Sequence, residues 1–310
     1  MSACPRLSIL LPTWNGEQDL ERLLPVLRAQ DLFAETEIVA VDSTSRDRTV
    51  ELLRASGARV EIIPTKEFGH GRTRNRMAKL ARGELLMFLS QDVVPADRGY
   101  LAALAAPFAD PRVAGAYARV LPEEGADPLA ARTVLDLPEA GTEPEVRDLD
   151  AVDGVWSLAP RERARYLRFN NVASAIRADV FRALPFPDVT FGEDFAWAAR
   201  ALTAGHRIAY APAAVAFHAH SYGPRAAYAR YRTDAEFHAQ VHGWRVRRNL
   251  ASAAKGFFFE LGRDAAWLAR ERPPGALGAL LRAPGLRAAQ VLGQYVGSRG
   301  RGPAVWRGSR

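Results

Sequence analysis

Four short apolar runs, separated by segments of helical spacing, constrain this chain more than any other feature. Leu7–Leu11, Glu37–Val41, Val60–Ile63 and Leu85–Leu89 have the length of strands rather than helices. Between the first two, Leu20, Leu23, Leu24 and Leu27 recur at helical spacing within Gln18–Gln30. After the second run, Ser43, Thr44 or Ser45 is expected to cap a helix reaching Ser56. Strands and helices alternating in this way predict an α/β domain with a parallel, doubly wound sheet. Such sheets bind ligands beyond the carboxyl ends of their strands. Those ends carry Thr13 and Asn15, then Asp42, then Ser90 and Asp92. Polar groups converging from three strand ends predict one binding crevice, in which Asp and Asn can read the hydrogen-bonding edge of a base. Trp14 either stacks on that base or packs, and packing is the commoner use of a large aromatic.

The stretch Glu67–Asp92 reads as a glycine-bearing loop, an arginine-rich helix start, a turn and an apolar strand delivering Ser90, Gln91 and Asp92. An acid at that strand end, downstream of the arginines, points to phosphate chemistry with a metal; a solvated surface Asp is the alternative. Neither G-x-G-x-x-G nor G-x-x-x-x-G-K-[ST] follows the first strand, which argues against a dinucleotide-binding dehydrogenase and a P-loop NTPase.

The 310 residues suffice for one large domain, or one domain plus an extension. Cys4 is the single cysteine, so no disulfide framework or cysteine metal cluster is expected and a reducing compartment fits. The N-terminal segment lacks the features of a signal peptide, and no uncharged run is long enough to span a bilayer as a helix. Charge is uneven. Residues 221–310 hold 16 Lys and Arg against 5 Asp and Glu, whereas the first 220 residues hold 26 against 30. A basic C-terminal third suggests an anionic partner surface, or else arginine-rich solvated helices.

Farther along, Asp97–Phe108 reads as a helix and Val113–Val120 as a strand. Pro122–Asp150 carries nine acids and four prolines against Arg132 and Arg147, and predicts an exposed excursion with a short helix near Leu129–Leu135. It serves either as a lid or as solvated padding. A strand is predicted at Val172–Ile176. Glu193 and Asp194 then open an amphipathic helix after Gly192. They either offset the helix dipole or present a carboxylate to a cleft. His206–Phe217 reads as one or two strands ending at His218 and His220, which an extended strand would point to one side. They are ligands for metal or phosphate, or structural residues. A helix at Pro224–Val241 is expected to pack on the main body. Lys255–Arg272 and Leu277–Gly293 mix basic and apolar residues, as in a packed helical hairpin or a segment docking on an anionic membrane. The tail from Ser298 to Arg310 is expected to be mobile.

The strings VDSTSRDRT, EFGHGRTRN, FLSQD, FGEDFAWAARALTAGHRIAYAP and FHAHSY occur in this order within residues 6–235. With them the chain resembles family 2 glycosyltransferases of the GT-A fold, and within these the bacterial rhamnosyltransferases. The resemblance implies a catalytic domain over residues 1–223, with a nucleotide-binding half to about residue 121 and an acceptor half from about 122. A basic helical extension follows over 224–310. It further implies that Pro12, Thr13, Asn15, Asp42 and Gln91 hold the nucleotide of a sugar donor, with Arg74 and Asn75 near ribose and diphosphate. Asp92 takes the second acid of a D-x-D motif and, with His218 or else His220, holds Mg²⁺ or Mn²⁺. Ser90 departs from the broader family, which has an acid there, and leaves more of the cation's shell to water and phosphate. Asp194 is the implied general base and Glu193 its support. The implied reaction is inverting transfer of rhamnose, with dTDP-rhamnose favoured as donor, to a glycan or lipid-linked acceptor in surface-polysaccharide synthesis. The implied setting is cytoplasmic, with no nucleic acid as partner; peripheral contact with the membrane through the extension is the alternative to its packing as a hairpin. A sugar-phosphate nucleotidyltransferase would want a glycine-rich basic loop where PTWNGEQD stands, and the Glu193–Asp194 pair argues against a catalytically silent binder.

Overall fold

The computed structural model describes residues 6–150 and 152–300, so Cys4 and most of the tail after Ser298 lie outside the described residues. The strands are β1 (Leu7–Thr13), β2 (Thr36–Asp42), β3 (Arg59–Ile62), β4 (Leu85–Leu89), β5 (Val94–Pro95), β6 (Val113–Leu121), β7 (Glu145–Arg147), β8 (Ala173–Arg177) and β9 (Arg207–Phe217). They form one sheet in the order β3-β2-β1-β4-β8-β6-β9-β5, with β7 also on β9. The half β3-β2-β1-β4 is parallel. It is the part of the chain where helices Glu17–Arg28, Thr49–Ala55 and His70–Leu80 separate successive strands. A parallel pair needs such a crossover. Beyond it β8 runs antiparallel to β4 and β6, and β5 and β7 run antiparallel to β9.

β1 and β4 are buried along nearly their whole length, with Leu7, Ile9, Leu11, Met87 and Leu89 in a core that includes Leu20, Leu23 and Leu27 of the first helix. Each such side chain contributes on the order of 1.5–3 kcal/mol by leaving water. The helix after β2 begins only at Thr49, with Arg48 at the cap and no side-chain cap. Ser43–Ser45 therefore do not cap it; Ser45 is bonded to Asp42 instead, close to the strand end.

By its contacts the chain forms two compact units. The first comprises residues 1–120, 139–157 and 167–218, the second 121–138, 158–166 and 219–310. The segment expected to be exposed at 122–150 is only partly so. Arg132, Glu139 and Arg147 are all buried, because each charge has partners. Arg147 donates to the Tyr117 hydroxyl (3.2 Å) and to the Arg168 carbonyl (2.6 Å). Arg132 pairs with Asp136, Glu260 and Asp264.

The second unit is helical. Pro224–Phe237 continues into a π-helical turn, His238–His242, and Leu250–Glu271 and Ala276–Gly297 form a hairpin. Ala276–Gly297 runs unbroken through Pro284. It packs so closely on Pro224–Phe237 that a Cβ at Gly293 would stand 2.5 Å from the Tyr228 carbonyl oxygen, and one at Gly297 would collide with the Arg232 carbonyl. Leu129, Leu268, Ala279 and Ala283 make this unit's own apolar cluster. Among the described residues no helix is long and apolar enough to cross a membrane.

Helix Glu193–Thr203 is anchored in the first unit by Trp197, fully buried against Phe169 and Phe186, with its indole N–H on the Leu184 carbonyl (2.9 Å). Gly115 of β6 makes room for that ring: a Cβ there would lie 2.7 Å from Trp197 Cη2. Gly115→Ala is predicted to destabilise the protein by about 1–3 kcal/mol through overpacking. Calorimetric unfolding should show a clear drop in Tm, and an unchanged Tm would show that the ring moves freely.

Candidate active site

The carboxyl ends of β1 and β2 are in register, Thr13 opposite Asp42. Asp42 is fully buried, and its Oδ2 accepts from the Thr13 hydroxyl (3.0 Å) and the Ser45 hydroxyl (2.5 Å) while Oδ1 accepts from the Ser45 N–H (2.8 Å). The two loops are then laced together. The Asn15 N–H donates to Ser45 Oγ (2.7 Å), the Arg46 N–H to Asn15 Oδ1 (2.9 Å) and the Gly16 N–H to Thr49 Oγ1 (2.7 Å). Asn15 and Thr44 sit at φ 44° and 63°, a region sparse for residues with a Cβ. The Asp42 carboxylate thus fixes the shape of these loops. Pro12 lies beside Val41 and is partly buried.

Trp14 is 57% exposed, so the expectation that it packs is corrected. It stands past the end of β1, where Gln91 holds its backbone at both sides: Gln91 Oε1 accepts from the Trp14 N–H (2.9 Å) and Gln91 Nε2 donates to the Trp14 carbonyl (3.3 Å). Gln91 also donates to Asp19 (2.9 Å). A large aromatic displayed on a braced turn is suited to stacking.

After β4 the chain turns tightly, with the Ser90 N–H on the Val172 carbonyl (3.0 Å) and the Val93 N–H on the Ser90 carbonyl (3.2 Å). β5 then pairs with the last residues of β9, Val94 opposite Phe217. That register sets Asp92, just before β5, against His218, just after β9, with Nε2–Oδ2 at 3.4 Å. β9 ends at Phe217, so His218 and His220 follow the strand rather than lie within it. His218 is placed by the β5 register; His220 belongs to the second unit. One carboxylate and one imidazole this close fit a divalent cation that takes its other ligands from water and phosphate oxygens.

The third group surrounds the start of helix Glu193–Thr203. Gly192 there is left-handed (φ 77°, ψ 30°), a conformation that favours glycine, and it turns the chain into the helix. Glu193 is 6% exposed, as is Arg74. Arg74 Nη1 donates to Glu193 Oε1 (3.0 Å), Asn171 Nδ2 donates to the same oxygen (3.4 Å), and Arg74 also reaches the His70 and Asn171 carbonyls. Asp194, next along, is partly exposed and accepts the Phe195 N–H (2.9 Å). Burial, and then the adjacent Glu193 charge, raise its pKa to about 7, against the opposing pull of the Phe195 N–H and the Arg74 charge.

Arg74 and Asn75, expected near the donor, are engaged within the protein. Both ends of the Asn75 amide bond the Phe186 peptide, Nδ2 to its carbonyl (2.8 Å) and Oδ1 from its N–H (3.0 Å). This holds the loop leading to Gly192. Asn171 was not singled out from the sequence, although an Asn–Asn pair directly before a strand was its signal. It is 3% exposed and bonds both Glu193 and Ser174. Because Val172 holds the Ser90 turn, residues 171–172 join the carboxylate group to the metal-type pair.

Three comparisons bear on this geometry. The profile of glycosyl transferase family 2 matches residues 8–168. The O-antigen chain rhamnosyltransferase RfbN of Salmonella typhimurium is 30% identical over 260 residues, covering 82% of this chain and 79% of its own. Among solved structures, mannosyltransferase PcManGT from Pyrobaculum calidifontis, in complex with GDP-Man and Mn²⁺, is similar with a TM-score of 0.54 at 20% identity, covering 94% of this chain and 87% of its own. Residues 1–349 of TarS from S. aureus, in complex with UDP-GlcNAc, give 0.53 at 19%, covering 92% and 90%. The expected α/β fold of GT-A type with a helical C-terminal region is thereby shown.

Removing one partner of a buried ion pair leaves the other charge uncompensated and costs about 3–5 kcal/mol. Arg74→Met should therefore lower unfolding free energy by roughly that amount in a urea titration. A loss below about 1 kcal/mol, the range of exposed pairs, would mean that Glu193 finds another partner.

Proposed function

This chain belongs to glycosyltransferase family 2, and from that premise we propose that it moves L-rhamnose, with inversion, from a nucleoside-diphosphate donor (dTDP-rhamnose) to a hydroxyl of a glycan or lipid-linked acceptor in polysaccharide synthesis. The observation that carries the chemistry is Asp194: a partly exposed carboxylate with a raised pKa, fixed at a helix start by the buried Arg74–Glu193 pair. A base is most effective when its pKa lies near the working pH. The identity to an O-antigen rhamnosyltransferase supports the sugar and the class of acceptor. The single cysteine of the chain is in keeping with a cytoplasmic setting.

Thr13, Asn15, Asp42 and Gln91 shape the loops that receive the nucleotide, Pro12 leads into them from β1, and Trp14 offers its ring to the base. Arg74 and Asn75 are assigned to holding Glu193 and the Phe186 loop in place, since their polar atoms are used there. Asp92 and His218 would hold Mg²⁺ or Mn²⁺, which when bound neutralises charge on the diphosphate. Asp194 accepts the proton of the acceptor hydroxyl as its oxygen bonds to the anomeric carbon. The bond from that carbon to the diphosphate oxygen breaks on the opposite face, and its electron pair leaves with the nucleoside diphosphate. One base and one displacement give inversion.

A panel of nucleotide sugars assayed with a rhamnose-containing glycan acceptor tests this reading. Turnover is expected with dTDP-rhamnose and not with the UDP- or GDP-linked hexoses. Asp194→Asn should reduce kcat by about 10²–10⁴-fold while calorimetry still shows donor binding; near-normal turnover in this variant would remove Asp194 as the base. Asp92→Ala, or excess chelator, should weaken donor binding. Undiminished transfer in both would take the cation out of the site, and donor binding without turnover in the wild type would identify a non-catalytic binder.

A further inference from the structure

The C-terminal hairpin exposes apolar side chains that the transfer reaction does not use. On Ala276–Gly297 the inner face is taken by Ala279, Ala283, Arg287, Val291 and Gly293. The outer face shows Leu277 (72% exposed), Leu281 (75%) and Leu292 (54%), with Leu280 beside them. Leu277 to Leu292 spans about 22 Å of helix at 1.5 Å per residue. Phe258 and Phe259 on Leu250–Glu271 are likewise 70% and 58% exposed. Surface apolar residues scattered singly need no explanation, but a continuous stripe on one helix with two aromatics on its neighbour marks an interaction surface.

The charges around this face select its partner. The hairpin's acids are Glu260, Asp264 and Glu271. Asp264 is fully buried in a bidentate pair with Arg287 (2.8 and 2.9 Å), and Glu260 is mostly buried against Arg132. Lys255, Arg263, Arg270, Arg272 and Arg282 are exposed. Arg263, Arg282 and Arg270 are offset by Asp136, Asp127 and Glu271. The remaining excess is positive, and the second unit as a whole carries 20 Lys and Arg against 10 Asp and Glu. A second copy docking on this stripe would set like charges along the seam, where helical pairs use opposite ones. An anionic bilayer is complementary to both features: its acyl boundary takes the leucines and phenylalanines, and its headgroups take the cations.

We propose that the outer face of the 250–297 hairpin docks the protein on an anionic phospholipid surface. This rests on the exposed stripe and the charge around it, and is independent of the donor, the acceptor and the base. Flotation of the full chain with vesicles of phosphatidylcholine alone, or with about one-third phosphatidylglycerol, reads it directly. The wild type should float with the anionic vesicles and stay behind with the neutral ones. Leu277→Asp/Leu281→Asp and Lys255→Glu/Arg272→Glu should each lower the partition at least about 10-fold, with helical circular dichroism and transfer to a soluble acceptor unchanged. Equal flotation with both vesicle types, or with neither, overturns the proposal. So does light scattering that finds a dimer which the leucine variant converts to monomer, because a second copy then covers the stripe.

Discussion

The buried pair between Arg74 and Glu193 is the interaction on which the candidate site depends. It joins a residue after β3 to one preceding β9, and so ties the parallel half of the sheet to the mixed half. Withdrawing two charges from water is expensive and is repaid only with good geometry and further hydrogen bonds. Those are present, from Asn171 to Glu193 and from Arg74 to two carbonyls. Replacing the pair by apolar groups could serve stability equally well. What apolar groups would not supply is a fixed negative charge beside Asp194, which raises the affinity of that carboxylate for a proton.

The metal-type pair has a different origin. Asp92 and His218 are 126 positions apart and meet through a two-residue strand, β5, which lies next to β9 at the end of the strand order. The Ser90 turn, bonded to Val172, and the Asn171 contact with Glu193 place the two functional groups on one short piece of backbone before β8. The Asp92–His218 pair and the Glu193–Asp194 start thereby share a common support. A serine at position 90 is compatible with this, since the β5–β9 pairing sets His218 Nε2 3.4 Å from Asp92 Oδ2.

Much of this was legible in the chain. The apolar runs gave the strands because length and flanking turns mark them, and Glu193–Asp194 stood out because a glycine directly before two acids at a helix start marks a sharp entry that can present a carboxylate, with the helix dipole as the competing use. What was not legible is how a charged side chain is spent. Arg74 reads as phosphate-binding in its basic helix, yet it turns inward, because Glu193 lies 119 positions away and no local pattern links them. Arg132 and Arg147 were hidden for the same reason: in an acidic, proline-rich stretch they look solvated, and their burial depends on Glu260, Asp264, Tyr117 and Arg168 from elsewhere. Trp14 erred in the opposite direction, since hydrophobicity favoured burial and only the Gln91 brace shows why the ring is displayed.

The central claim is that Asp194 acts as a base whose proton affinity is set by burial and by Glu193, and the pH dependence of kcat/KM measures it most directly. A carboxylate base works only when deprotonated, so a pKa raised from 3.8 to about 7 places the acid limb near neutrality, with activity rising as pH rises through it. In Glu193→Gln one like charge is gone, Asp194 loses its proton more readily, and the limb should move to lower pH. A wild-type limb near pH 4, or a limb that stays in place in the Glu193→Gln enzyme, would contradict the account.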